Sequence, residues 1–466
     1  MTLQPLRILH LNASSSGGAF VAAQRLSDAL NGLEGVSSEH WVFDGGEGGF
    51  HLWANTWLKK KWAFGLHALE KLDFLRFEAN KSIRFAFSHG KTGVNIANWK
   101  AVQDADIIHL HWVNKGFVSL NGLEDLLGLG KKIVWTGHDM WPFTGGCYHP
   151  RGCDNFTREC GNCQYLKQPG QLDLSNQIFK AKKRIFSNAG GRLQFVTPST
   201  WLKNQADKSG IVKELIDIGG AVAMPEIKVI PNPIDTDYFK PRVLNSVKGP
   251  MHAANLEKSA EILENVEKDE AGDGLSISSS ANPFVLMFAA ANLGNPAKGF
   301  AEFRSVCNGL VDLGFANVEA LVVGENRLPN GDLGLKCAVK ELGFISDAKQ
   351  MRDAYWQADV YVTTSHEENL PTTIMESLSC GVPVAAFAVG GIPEMISPSG
   401  DHQTGWLSEK LDVESLIQGI ASYIEMEPSK RIKMQEASRN AAVANYGSVS
   451  IAKRYLSLYS NVPSLI

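Results

Sequence analysis

The sequence has no uninterrupted apolar run of about 18 residues, the length a helix needs to cross a bilayer, so transmembrane anchoring is not expected. It also lacks an excess of positive charge. With 45 basic and 49 acidic side chains the formal net charge is -4, which offers no overall field to nucleic-acid phosphates. Nucleic acid is therefore not an expected partner. The start, Met1 to Asn12, shows neither the basic opening nor the small-residue cleavage site of a signal peptide, and a cytoplasmic chain is expected. Cysteine is scarce and odd in number, seven in all, which argues against the paired framework of a small secreted protein.

What remains is an ordinary globular composition, 44% hydrophobic and 20% charged, long enough at 466 residues for two domains with separate cores. Apolar β-rich segments at Leu6 to Leu11, Asp106 to His111 and Lys132 to Thr136 are each followed by polar or glycine-containing turns. Phe284 to Ala290, Ala320 to Gly324, Asp359 to Thr363 and Val382 to Phe387 repeat the plan, with helical stretches such as Ala348 to Trp356 between them. Strand, crossover, strand predicts an α/β class with two doubly wound parallel sheets. Ile230 to Asp235 ends the first half in proline turns, which puts the boundary near Pro241. The expected domains are 1–241, an acidic linker or insertion over 242–283, 284–445, and a final helix within 446–466.

Residues 242–283 carry seven acidic and four basic side chains, with one amphipathic piece from Leu256 to Val266. Their apolar content is too low to offset the entropy of ordering. Residues 57–100 differ in the opposite sense. They hold nine Lys or Arg, Lys59 to Lys61 among them, interleaved with Trp57, Trp62, Phe64, Phe74, Phe77, Phe85 and Phe87. Two readings stand: a helix pair with its aromatics on the sheet and its lysines in water, or a segment lying on an anionic membrane.

Ser365 to Val384 reads as a polar loop at a strand end, a helix opening near Pro371 or Thr372, and a Gly381-Val382-Pro383 stop. Free N–H groups and the dipole at such a helix start favour an anion, at the carboxyl edge of a parallel sheet where open α/β folds bind ligands. A diphosphate suits it. Glu368 precedes the helix and Glu376 lies more than a turn inside it, so the two carboxylates can reach different parts of one extended ligand. Gly17 and Gly18, between a strand and a helix, would let backbone approach a phosphate or sugar. Cys147, Cys153, Cys160 and Cys163 form C-x5-C-x6-C-x2-C in a loop of Gly, Pro and Asn. A structural zinc, disulfides and free thiols are the three readings. Histidines alternate in His109-Leu110-His111 and so share one strand face, as core groups or metal ligands.

These residues resemble the retaining glycosyltransferases of family 4, which have the GT-B fold, two Rossmann-like domains facing across a cleft. Glu368 and Glu376 match the Glu-x7-Glu signature and Val389 to Glu394 the Gly-Gly-Ile-Pro-Glu turn. Pro198-Ser199, Ile230 to Asp235 and Tyr238-Phe239 look like first-domain motifs. His109 to Trp112 and Trp135 to Trp141 are most similar to the branch that builds bacterial exopolysaccharides such as colanic acid.

The resemblance implies that a hexose moves from a GDP- or UDP-sugar to a glycan or lipid-linked acceptor, at the inner face of the cytoplasmic membrane. It gives the ribose to Glu376, the donor sugar to Glu368 and His138, and the diphosphate to Lys298 and to backbone amides along the donor-binding stretch Asn369, Leu370, Pro371, Thr372 and Thr373. Asn292 stands where the family has an arginine, and Arg327 is a candidate replacement. No cofactor is expected for catalysis. A sugar-nucleotide-binding scaffold and a GT-B-like epimerase are the rival readings.

Overall fold

The computed structural model describes residues 4–217, 224–242 and 282–462. The expected insertion, with its helix Leu256 to Val266, lies outside the described residues save for its ends. The chain divides into two compact units, Met1–Pro233 with Gly447–Ile466, and Ile234–Tyr446. The break thus falls eight residues before Pro241. Ile234 N bonds the Tyr446 carbonyl at 2.9 Å and Phe239 is buried in the second core, so residues 234–241 pack with the second unit.

The first unit is built on a seven-stranded parallel sheet in the order β3-β2-β1-β4-β5-β6-β7, with β1 Leu6–Ser14, β2 Val36–Asp44, β3 His51–Leu52, β4 Ile107–Leu110, β5 Lys132–Thr136, β6 Leu193–Thr197 and β7 Lys228–Val229. Its central strands are buried on both faces, which explains their nearly continuous Ile, Leu, Val and Trp. The helix Ser448–Asn461 packs Ile451, Ala452, Tyr455 and Tyr459 against β1, β4 and the helix Gly18–Asn31. The helix Trp57–Phe74 starts at Thr56, whose hydroxyl accepts from Lys59 N. Among the described residues no second helix comes between it and Lys100 apart from the short turn Lys81–Ile83, so the expected helix pair is one helix and an irregular return.

The second unit carries a six-stranded parallel sheet in the order β10-β9-β8-β11-β12-β13, formed by β8 Phe284–Asn292, β9 Val318–Glu325, β10 Ala338–Gly343, β11 Val360–Thr363, β12 Val384–Phe387 and β13 Gly405–Ser408. Each sheet sits in its own hydrophobic core. Two parallel doubly wound sheets in succession constitute the GT-B plan.

Candidate active site

In the second unit β8 and β11 are neighbours, and the loops leaving their carboxyl ends meet. After β8, Asn292 Oδ1 accepts from Gly294 N at 2.8 Å, and Asn295 opens the turn Pro296–Lys298. Gly299 then adopts φ +75, where a Cβ would stand 1.9 Å from the Thr364 carbonyl oxygen; only glycine lets the two loops touch. Thr364 Oγ1 donates to the Gly299 carbonyl at 2.6 Å and His366 N to the Ala297 carbonyl at 2.9 Å. This lacing delivers Lys298 Nζ to Glu368 Oε1, 2.6 Å away and part-buried.

Gly390, at φ +59, backs onto the same place. A Cβ there would lie 1.6 Å from the Glu368 carbonyl oxygen, which is the physical reason for glycine in Val389-Gly390-Gly391. Three segments far apart in sequence therefore fix one lysine–carboxylate pair.

Beyond Glu368 the helix Thr372–Ser379 begins after Pro371 with no side-chain cap, leaving its positive end for an anion. Glu376 sits inside this helix, 6% exposed, and its Oε2 accepts from the Tyr355 hydroxyl at 3.1 Å. Burial, and then the nearby Glu376, push the Tyr355 phenol well above its usual range, so it remains a donor. Tyr355, the last residue of the helix Ala348–Tyr355, was not singled out by the sequence. Leu370 is buried, whereas Asn369, Pro371, Thr372 and Thr373 are half-buried around the helix start. Arg327 follows β9 beside the Asn292 loop, its carbonyl close to Gly294, and its guanidinium pairs with Glu325 at 2.7 Å and is largely exposed.

In the first unit Gly17, at φ +88, opens the helix Gly18–Asn31 with no side-chain cap. The strands of the same unit carry a row of histidines. His40, His10 and His109 share one register across β2, β1 and β4. His10 Nδ1 is 3.0 Å from His111 Nε2, and His111 Nδ1 is 3.1 Å from His138 Nε2. His109 bonds the Tyr459 hydroxyl and Thr136 Oγ1, both at 2.8 Å.

Burial lowers every one of these imidazoles, His40 and His138 to about 4 and the other three well below their ordinary value. The row is neutral at pH 7. His10, His109 and His111 bring potential ligand atoms within 4.8 Å of one another. Both nitrogens of His109 and of His111 are already hydrogen-bonded, whereas His10 Nε2 and His40 Nε2 are buried without a hydrogen-bond partner; the bonded members position His138 through His111. Beside His138, Asp139 accepts from Trp112 Nε1 at 3.1 Å and from Trp141 N at 2.8 Å, with burial raising its carboxyl.

Residues 287–441 match the family described as glycosyl transferases group 1. Among curated proteins, an Escherichia coli K12 chain assigned to colanic acid biosynthesis as glycosyl transferase WcaC is 20% identical over 76% of this chain and 75% of its own length. A Campylobacter jejuni N,N'-diacetylbacillosaminyl-diphospho-undecaprenol alpha-1,3-N-acetylgalactosaminyltransferase is 29% identical over 39% of this chain and 45% of its own. Anabaena HepE, solved with UDP, superposes with TM-score 0.57 at 18% identity, covering 98% of this chain and 100% of that one. Sucrose-phosphate synthase of Thermosynechococcus elongatus gives 0.57 at 16% identity, covering 98% of each. The fold of the chain is GT-B, and residues 287–441 within its second unit are similar to the glycosyl transferases of group 1.

Proposed function

We propose that the protein is a retaining, metal-independent family 4 glycosyltransferase that moves a hexose from a GDP- or UDP-sugar to a lipid-linked glycan acceptor in surface polysaccharide synthesis. One observation carries this reading: Lys298 and Glu368 are held together at the uncapped start of the helix Thr372–Ser379, with buried Glu376 one to two turns further in. The helix start and Lys298 supply positive potential for a diphosphate, and Glu376, steadied by Tyr355, accepts hydrogen bonds from ribose hydroxyls. Glu368 then faces the sugar and favours positive charge developing on its ring.

In the proposed step the bond from the anomeric carbon to the diphosphate oxygen breaks and a bond to the acceptor oxygen forms on the same face. The acceptor proton passes to the leaving phosphate oxygen. Lys298 meets the charge left on that phosphate, so no divalent ion is required. His138, oriented by His111, takes the role at the donor sugar that the resemblance gives it.

A surface of the first unit favours a lipid-linked acceptor. On the helix Trp57–Phe74, Trp57, Leu58, Trp62 and Phe64 are 61–70% exposed, alongside Lys59, Lys60 and Lys61. Phe74 and Phe87 turn inward, so the aromatics divide between a core and a solvent face. Bulky apolar groups next to a lysine run suit an anionic bilayer surface. Among the described residues no helix is long and apolar enough to cross a membrane. The Campylobacter relative's name, which contains diphospho-undecaprenol, points the same way.

The test is turnover of nucleotide-sugars with a polyprenyl-diphosphate glycan in the presence of EDTA, with the product's anomeric configuration read by NMR. Retention, with turnover abolished by Lys298→Ala and Glu368→Gln, supports the assignment. Turnover of donor alone indicates an epimerase, and binding without turnover a scaffold.

A further inference from the structure

The loop that continues from His138 and Asp139 holds four of the seven cysteines and almost no regular structure. Between Phe143 and Leu174 it makes one short turn, Asn155–Thr157. Arg151, Cys160 and Asn162 hold left-handed backbone with φ of 49, 57 and 46. Conformations of this kind persist only where the surroundings enforce them. Cys147, Cys153, Cys160 and Cys163 all line one cavity, closed by Phe87, Phe156 and Tyr165, and none is in a disulfide.

A second observation concerns charge. Lys182, on the helix Leu174–Ala189, is fully buried. Its Nζ donates to the Trp141 and Thr144 carbonyls and lies 3.5 Å from the centre of the Trp141 ring. Among the described residues no ion pair joins it to a carboxylate; Cys147, Cys160 and Asp139 are within electrostatic reach, in that order. A buried ammonium whose direct contacts are carbonyls and a ring face is stabilised by negative charge nearby.

We propose that Cys147, Cys153, Cys160 and Cys163 bind one structural zinc ion as thiolates, with Lys182 as the buried countercharge. Four thiols give up four protons, so the tetrathiolate centre carries a net charge of two minus, part of which Lys182 offsets. Disulfides or neutral thiols would leave Lys182 with Asp139 as its nearby negative charge. The sulfurs line the cavity wall without the 4.8 Å clustering of the histidine trio, so side-chain rotation completes the site.

The ion has a structural consequence for the histidine row. Gly145 N bonds Cys160 Sγ at 3.2 Å, and Lys182 grips Trp141 and Thr144. A centre at the four cysteines thus anchors the segment Trp141 to Gly145, which begins three residues after His138. This proposal stands on the first unit alone and survives if the donor assignment in the second fails.

Metal analysis of the full chain, purified under reductant from cells supplied with zinc, should find about one zinc per chain. Zinc K-edge absorption of the same sample should show a sulfur-only shell near 2.3 Å, roughly the Zn–S bond length. Cys160→Ser with Cys163→Ser should lose the ion, and Lys182→Met should release it faster to a chelator. If the double variant does not fold, the wild-type spectrum decides. Metal-free protein, a nitrogen-rich shell pointing to His10, His109 and His111, or an unreduced mass two or four daltons below the thiol form would overturn the proposal.

Discussion

Acid should undo the first unit through its histidine row, and the size of the effect follows from the structure. His40 is 3% exposed and its pKa falls from 6.5 to about 4 through burial; His138 falls to about the same value, also through burial. A depressed histidine contributes stability that is intact above the unfolded pKa of 6.5 and lost progressively as pH falls towards 4. Between those limits the unfolded chain binds the proton and the folded chain does not. A shift of that size corresponds to about 3 kcal/mol for each residue, against a total stability of about 5–15 kcal/mol for a typical domain.

His10, His109 and His111 add to the loss in the same direction. Asp28 and Asp139, whose carboxyls burial raises, oppose it in part. Urea unfolding followed by near-UV circular dichroism at pH 7.5, 6.5, 5.5 and 4.5 should therefore show a first-unit transition that weakens steeply below pH 6.5. The slope should be about 1.4 kcal/mol per pH unit for each histidine still neutral in the fold. His40→Gln, which keeps a polar group near its partner Gln24, should reduce the slope by about one such proton. Equal stability at pH 5 and pH 7.5, or a slope indifferent to His40→Gln, would refute the reasoning.

Other expectations can be checked separately. Gly390→Ala places a methyl against the Glu368 carbonyl and demands left-handed backbone; it should weaken nucleotide-sugar binding at least ~10-fold by calorimetry and cost about 1–3 kcal/mol of second-unit stability. Tyr355→Phe removes the hydroxyl that steadies buried Glu376 and should cost about 1.5–3 kcal/mol in nucleotide affinity, roughly 10- to 100-fold, with the fold intact by circular dichroism. Flotation with vesicles should require anionic lipid and weaken when Trp57, Trp62 and Phe64 become serine or when Lys59, Lys60 and Lys61 become glutamate. Flotation indifferent to both sets would leave a soluble acceptor.

Much of the second unit was legible because its motifs are local. The strand at Phe284, the Lys298-Gly299 step and the Glu368 to Glu376 spacing each lie within a few residues, while the sheet order that sets β8 beside β11 brings their loops together. What sequence could not give was set by register and by edges. β2, which carries His40, the buried strand β6 and the edge strands β3, β10 and β13 escaped notice. β10 is mostly exposed, so no apolar run marks it.

The histidine row exists because β1 pairs with both β2 and β4 in register, which brings together residues about 30 and 100 positions apart. Nothing local in the sequence marks Lys182, and only packing shows its side chain to be buried. The aromatics of residues 57–100 read alike in sequence; three-dimensional burial divides Phe74 and Phe87 from Trp57, Trp62 and Phe64.

The central claim is tested most directly by calorimetric titration of the full chain with UDP-, GDP- and ADP-sugars, set beside Glu376→Ala and Lys298→Ala. One donor should bind the native protein with a negative heat-capacity change, with affinity reduced ~100-fold or more by Glu376→Ala through loss of paired hydrogen bonds to a charged group. Binding of no nucleotide-sugar, or equal affinity in all three proteins, would contradict the account.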